Sequence, residues 1–223
     1  DGGWVHSDMH ALWIHPDNTN ILYLGTDGGI YKSIDKGISW SFTHSLPVGQ
    51  FYHVSHDLQK PYNVYGGLQD NGSWKAPSAA PGGINNANWQ RVGGGDGFWT
   101  VPDIDGKTVY VEYQGGNMSR VNMTNMKSEE IQPKQTNKEE KLRWNWNTPI
   151  VTGAANPKNL YTGSQYLYKS TNQGRDWTRI SGDLTTNNKA KQQQDESGGL
   201  SADNTSAENH CTIVAIEPSK KEK

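Results

Sequence analysis

Ser33-Ile-Asp35-Lys-Gly37-Ile-Ser39-Trp40 follows Pro16-Asp-Asn-Thr-Asn-Ile-Leu-Tyr23-Leu-Gly25 and Gly29-Ile-Tyr31-Lys32. The same order returns as Pro157-Lys-Asn-Leu-Tyr161-Thr-Gly163, Tyr166-Leu-Tyr168-Lys169 and Ser170-Thr-Asn172-Gln-Gly174-Arg-Asp176-Trp177. Two weaker copies lie between, Pro61-Tyr-Asn-Val-Tyr65-Gly-Gly67 with Gly72-Ser-Trp74, and Lys107-Thr-Val-Tyr110-Val with Asn117-Met-Ser-Arg-Val121. The tyrosine anchors, Tyr23, Tyr65, Tyr110 and Tyr161, are 42, 45 and 51 residues apart. A period near 45 residues suits a propeller blade of four short strands.

A strand candidate precedes each anchor: His10–Ile14, Tyr52–Ser55, Gly97–Val101 and Pro149–Thr152. A fifth, Cys211–Ile216, has no repeat behind it. Tryptophan opens the last strand of several units, at Trp40, Trp89 and Trp177. The expectation is an all-β chain, a partial β-propeller of about four four-stranded blades plus the first strand of a fifth. The blades fall at roughly 8–45, 50–93, 96–142 and 147–184, with the fifth-blade strand at 210–217, all in a single domain over 1–223. Residues 125–141 and 185–208 are polar, with few apolar side chains, and read as loop insertions between blades.

Composition agrees. The 223 residues include 25 Gly, 9 Trp and 10 Tyr, while only 32% are hydrophobic. So many aromatics exclude a wholly disordered chain, and the glycines fit a turn-rich all-β protein. The net charge of −2 supplies no basic surplus for nucleic acid. No apolar run approaches a membrane span. The single cysteine excludes an internal disulfide framework, and Cys211 is expected as a buried thiol acting as a small hydrophobe.

Ser33 to Trp40 matches the Asp-box pattern Ser/Thr-x-Asp-x-Gly-x-Ser/Thr-Trp without a mismatch. Ser170 to Trp177 is a degenerate copy, with Asn172 for Asp and Asp176 for Ser/Thr. The aspartate accepts nearby backbone N–H groups, glycine permits the turn and tryptophan seals the hairpin. The chain therefore resembles the Asp-box, or BNR-repeat, β-propellers, which include sialidases, xyloglucanase-type glycoside hydrolases and sortilin-type receptors. The nearest likeness is to large bacterial sortilin-like, glycosyl-hydrolase-like BNR-repeat proteins. His6–Trp13, Gly25–Tyr31, Gly66–Trp74, Gly93–Phe98 and Trp144–Pro149 carry it with the boxes. The resemblance implies a structural role for Ser33, Asp35, Gly37, Trp40, Ser170, Asn172, Gly174 and Trp177, on turns away from the binding face. It also implies an exported bacterial protein, secreted or periplasmic, and a propeller incomplete within this chain.

With strands labelled A to D from the inside, the segments before A and the B–C turns share one end of each blade. His6–His10, Gly49–His53, Gly93–Asp96, Trp144–Asn147 and Glu208–His210 precede A strands; Thr26–Gly28, Gln69–Asn71, Gln114–Asn117 and Ser164–Gln165 are B–C turns. Carboxylates, imidazoles, amides and tryptophans thus converge at one end, the expected ligand face. Glycoside hydrolysis needs one protonated and one ionised carboxyl group, and Asp8, Asp70 and Asp96 are the candidate catalytic acids. His6, His10, Gln69, Asn71, Trp144, Asn145, Trp146 and Asn147 are the candidate ligand-binding residues. His6-x-Asp8-x-His10 has the alternation of a metal site, but hydrogen bonding to neighbouring loops is the preferred reading, so no metal and no cofactor are assigned. The arginines, Arg91 among them, fall mostly in outer strands or loops, which weakens a sialidase reading. The expected partner is a polysaccharide or oligosaccharide, with non-catalytic recognition of a peptide or protein as the alternative, and neither nucleic acid nor membrane. An open propeller edge predicts self-association.

Overall fold

The structure is a computed structural model, and it describes residues 5–45, 49–135, 140–196, 205–207 and 209–221. It is all-β, a partial β-propeller of four four-stranded antiparallel sheets, each a simple meander. The chain divides into two compact units, 1–50 and 51–223.

The first unit holds one sheet: β1 (Met9–Ile14), β2 (Leu22–Thr26), β3 (Gly29–Ser33) and β4 (Ser41–Phe42). Its register sets Leu12 opposite Leu24, and Leu24 opposite Tyr31. That row of apolar side chains lies on one face because side chains alternate along a strand. The Ser33–Trp40 turn joins β3 to β4. Asp35 Oδ1 accepts the Ser39 N–H at 2.9 Å, and Ser33 Oγ accepts the Gly37 N–H at 2.8 Å. The bonds from the Ser39 hydroxyl and N–H and the Ser33 hydroxyl hold the Asp35 carboxyl down at about 2. Lys36 and Gly37 both take positive φ, the left-handed geometry that glycine adopts without strain.

The second unit holds three sheets. The first is β5 (His53–His56), β6 (Asn63–Leu68), β7 (Gly72–Pro77) and β8 (Gln90–Gly93). Next come β9 (Gly97–Pro102), β10 (Thr108–Tyr113), β11 (Asn117–Asn122) and β12 (Lys127–Glu130). The last is β13 (Ile150–Thr152), β14 (Leu160–Gly163), β15 (Leu167–Ser170) and β16 (Thr178–Arg179). Tyr65, Val92, Val109, Val111 and Val121 fill the space between the first two sheets. Tyr110, Met118, Ile131, Ile150 and Leu160 fill the next. Full burial of each such side chain contributes roughly 1.5–3 kcal/mol. The anchor tyrosines of this unit are held by lysines over their rings or by carboxylates on their hydroxyls, Tyr65 by both. Lys75 lies over the Tyr65 ring and Lys169 over Tyr161. The Tyr65 hydroxyl donates to Asp57 Oδ2 at 2.9 Å and the Tyr110 hydroxyl to Asp103 Oδ2. Burial and these carboxylates push both phenols well above their ordinary range.

The second box-like turn repeats the first. Asn172 Oδ1 accepts the Asp176 N–H at 2.9 Å, Ser170 Oγ accepts the Gly174 N–H at 2.9 Å, and Asn172 Nδ2 donates to Asp176 Oδ2 at 2.8 Å. Trp177 reaches back to the neighbouring sheet, its Nε1–H donating to Ile131 O at 2.6 Å.

Three sequence expectations are corrected. Lys127–Glu130, expected inside a loop insertion, is the outer strand β12; all four side chains are exposed, so polar composition there marks a sheet edge. The segment 210–217 forms no strand among the described residues. With no strand beside it to complete a ladder, it is held by one backbone bond to the fourth sheet, from Ile213 N–H to Ser164 O at 2.8 Å. Cys211 is only partly buried. Its positive φ carries it into a polar loop, where the Thr186 hydroxyl, 3.5 Å from Sγ, draws the thiol below its usual range. Within 185–208 the described part forms two 3-10 turns, Lys189–Lys191 and Gln194–Glu196; residues 197–204 and 208 lie outside the described residues. No helix among the described residues is long and apolar enough to cross a membrane.

Candidate functional site

Antiparallel alternation puts the B–C turns and the segments leading into the A strands at one end of each sheet. In the second unit that end begins at Asp96. Gly93-Gly94-Gly95 delivers it to the start of β9, and its side chain is buried, 5% exposed. Asp96 Oδ1 accepts the Asp70 N–H at 2.7 Å. Asp70 sits at positive φ in the β6–β7 turn and is exposed. Gly72 N–H donates to Gly95 O at 3.0 Å, so the two loops are joined twice. Only glycine fits at 72, where a Cβ would lie 2.6 Å from Gly93 O. The Asp96 carboxylate is thereby tied to the backbone of the turn that carries Asp70 in the adjacent sheet.

Tyr52 completes this corner. Its hydroxyl donates to Gln69 Oε1, and its ring packs on Phe98 at 4.6 Å between centroids. Burial and the negative charges of Asp96 and Asp70 push the Tyr52 phenol up. Asn71 Nδ2 donates to Gln69 O at 3.0 Å and stays within its own turn.

One device recurs in all three sheets. A glutamine in the B–C turn accepts a hydrogen bond from the segment that enters the same sheet. Gln69 Oε1 takes the Tyr52 hydroxyl, Gln114 Oε1 the Asp96 N–H at 2.9 Å, and Gln165 Oε1 the Arg143 N–H at 2.8 Å. Gln165 is fully buried and also donates to Lys141 O at 3.0 Å. The sequence carried this signal in the matching positions of Gln69, Gln114 and Gln165.

Trp144, Asn145, Trp146 and Asn147 lie together before β13. Trp144 stacks on Tyr168 at 6.2 Å and lies against Gly116, where a Cβ would meet its ring at 2.8 Å. Trp146 meets Phe98 edge-on at 5.9 Å. Both rings are half-buried and pack between sheets. Asn145 Oδ1 accepts the Asn147 N–H at 3.1 Å, and Asn145 Nδ2 donates to Thr212 Oγ1 at 2.9 Å. The Asn147 side chain meets His53 Nε2 at 3.0–3.2 Å. His53 stacks on Trp99 at 3.9 Å, and burial pulls its pKa down, partly offset by Asn147.

Glu112 escaped the sequence reading. It is fully buried, its Oε1 accepts the Thr148 N–H at 3.1 Å, and Oε2 makes no hydrogen bond among the described residues, although the Gly116 and Trp99 N–H groups lie towards the carboxyl. Burial raises its pKa well above the ordinary carboxylate value, partly offset by the backbone N–H groups of Thr148, Gly116 and Trp99. The signal was present: in Thr108-Val-Tyr-Val-Glu-Tyr113, Glu112 alternates onto the same side as the buried anchor Tyr110.

The first unit carries the remaining candidates. His6 Nδ1 lies 3.4 Å from Asp8 Oδ2, and the Ser7 hydroxyl donates to the same oxygen at 3.1 Å. His10 Nε2 pairs with Asp27 Oδ1 in the β2–β3 turn. His6, Asp8 and His10 thus make local hydrogen bonds.

No protein-family model matches this sequence, and no curated protein does. Solved structures do. The crystal structure of the GH74 xyloglucanase from Xanthomonas campestris is 16% identical, at a TM-score of 0.42, over 80% of this chain and 31% of that one. A structural genomics protein of unknown function from Bacteroides thetaiotaomicron is 17% identical, TM-score 0.43, over 82% and 46%. An auxiliary nutrient binding protein from the same organism is 12% identical, TM-score 0.42, over 79% and 42%. The chain spans less than half the length of each of these proteins.

Proposed function

We propose that the loop end of the second unit is a glycan-binding face with Asp70 and Asp96 at its centre. The observation that carries this reading is the 2.7 Å bond from Asp70 N–H to Asp96 Oδ1. It ties the turn that carries the exposed Asp70 to the recessed Asp96 carboxylate, at a corner shared with the Tyr52 phenol and the Gln69 and Gln114 amides. Sugar hydroxyls both donate and accept, and carboxylates with fixed amides answer both roles. The glutamine bonds set these groups in place before a ligand arrives, which lowers the ordering cost of binding.

The finer reading is a glycoside hydrolase of an exported, Asp-box propeller. One carboxylic acid would protonate the leaving oxygen and an ionised partner would serve as nucleophile or base; Asp70 and Asp96 are the pair, and Asp8 is a separate candidate acid within the first unit. The Ser33–Trp40 and Ser170–Trp177 turns are then structural Asp boxes, on C–D turns at the opposite end of their sheets from the B–C turns. Asn145, Asn147, Trp144 and Trp146 form the neighbouring wall, and His6 and His10 flank Asp8.

The test is reducing-sugar release from plant and algal polysaccharides, alongside binding of the same polysaccharides. Asp96→Asn keeps an oxygen for the Asp70 N–H and removes the charge; Asp70→Ala and Asp8→Ala remove the other acids. Release abolished by Asp96→Asn or Asp70→Ala supports hydrolysis. Binding without release leaves a recognition domain. Failure to bind any glycan, with capture of a peptide instead, replaces the reading by sortilin-like peptide recognition.

A further inference from the structure

We propose that the ligand of this face is an acidic oligosaccharide, one containing uronic acid residues, and that Arg91 recognises its carboxylate. This rests on the glycan reading and names the substrate class. Arg91 lies on β8, five residues before Asp96. The β7–β8 register shifts between Ser73 and Trp74, so Trp74 faces Arg91 and Ser73 faces Gly93, with Val92 as the extra residue. Such a bulge re-aims the side chains beside it. The Arg91 Nε–H donates to Gly93 O at 3.1 Å, which fixes the guanidinium against the loop that delivers Asp96. The group lies over Gly72, where a Cβ would come within 3.0 Å of Nε and 3.2 Å of Nη2. At Gly94 a Cβ would meet only Arg91 Nη2, at 3.8 Å. Open space therefore lies beside the charged end of the side chain.

Arg91 is exposed and has no carboxylate partner among the described residues. Arg120 and Arg143 differ: Arg120 pairs with Glu129, and Arg143 with Glu140 and Asp183. Two terminal nitrogens of a planar guanidinium match the two oxygens of a carboxylate. Asp70 and Asp96 repel an anionic ligand elsewhere on the face, so a sugar carboxylate has one favourable position, and the pairing sets the register of the chain. Arg91 is thus a specificity determinant at the rim of the carboxyl pair.

Titration calorimetry of the 223-residue chain with oligogalacturonate, and with a neutral cello-oligosaccharide of equal length, tests this. The acidic oligomer is expected to bind about tenfold more tightly, the scale of hydrogen bonds to a charged group, and to weaken with salt. Arg91→Met keeps the stem and erases that preference while neutral-sugar binding, the internal check on folding, is unchanged. Arg91→Lys restores part of it. Equal binding of both oligomers, or a preference that survives Arg91→Met, overturns the assignment to Arg91 and leaves the glycan reading standing. Binding of an Asp-rich peptide with neither sugar bound overturns both.

Discussion

Ser170 shows how a single side chain can close a turn. Its buried oxygen accepts the N–H groups of Asn172 and Gly174, as Ser33 does for Asp35 and Gly37. Ser170→Ala is expected to cost about 1–3 kcal/mol, the range for leaving buried donors without a partner, measured by urea unfolding. Asn172→Asp alone sets a carboxylate against Asp176 and destabilises the turn. Combined with Asp176→Ser, it rebuilds the Ser33–Trp40 chemistry and recovers stability, so a double-mutant cycle should show strong positive coupling. Both turns were legible in the sequence because every participant lies within eight residues. Cys211 was not: it takes a positive φ, and the Thr186 hydroxyl that it meets lies 25 positions away.

At the scale of the element, β10 carries the clearest pH dependence. Glu112 binds its proton more tightly folded than unfolded. The folded protein therefore holds one more proton between the unfolded carboxyl's pKa, near 4.5, and the raised folded value. Its contribution to stability is fully present below about pH 4.5 and declines as pH rises, by up to about 1.4 kcal/mol per pH unit. Glu112→Gln keeps the shape and an oxygen for the Thr148 N–H. It should match the wild type at pH 4 and exceed it at pH 8 in denaturant unfolding. The glutamine latch gives a second test. Gln165→Ala strands the buried Arg143 N–H, takes the Lys141 carbonyl's bond away and is expected to cost about 3 kcal/mol. The inner strands were readable from apolar alternation and the tyrosine anchors. Strand β12 was not, since an edge strand with four exposed side chains has the composition of a loop.

In the second unit as a whole, Arg143 gathers distant segments. Its guanidinium bonds Glu140, Asp183, Thr185 and the Cys211 carbonyl, while Asn145 and Trp144 hold Thr212 and Asn209. Arg143→Met should release the trailing segment, read as faster amide exchange at Ile213 with β9 and β10 unchanged. That segment leaves Val214 66% exposed, and self-association through it is the expected behaviour. Sedimentation velocity should show a concentration-dependent shift that Val214→Lys removes.

The repeat period, the all-β class, the four meanders and the two box-like turns were determined by the sequence itself, because turn chemistry and strand alternation act over a few residues. The convergence of the B–C turns and A-strand approaches at one end was likewise determined, since alternating strand direction alone requires it. Which groups meet there was decided only by the tertiary structure. The Asp70–Asp96 bond spans 26 positions, the His53–Asn147 bond 94, and the place of Arg91 depends on a bulge and two side-chain-free glycines. Contacts of that reach depend on how one sheet packs on the next, through interdigitating volumes that no local pattern encodes.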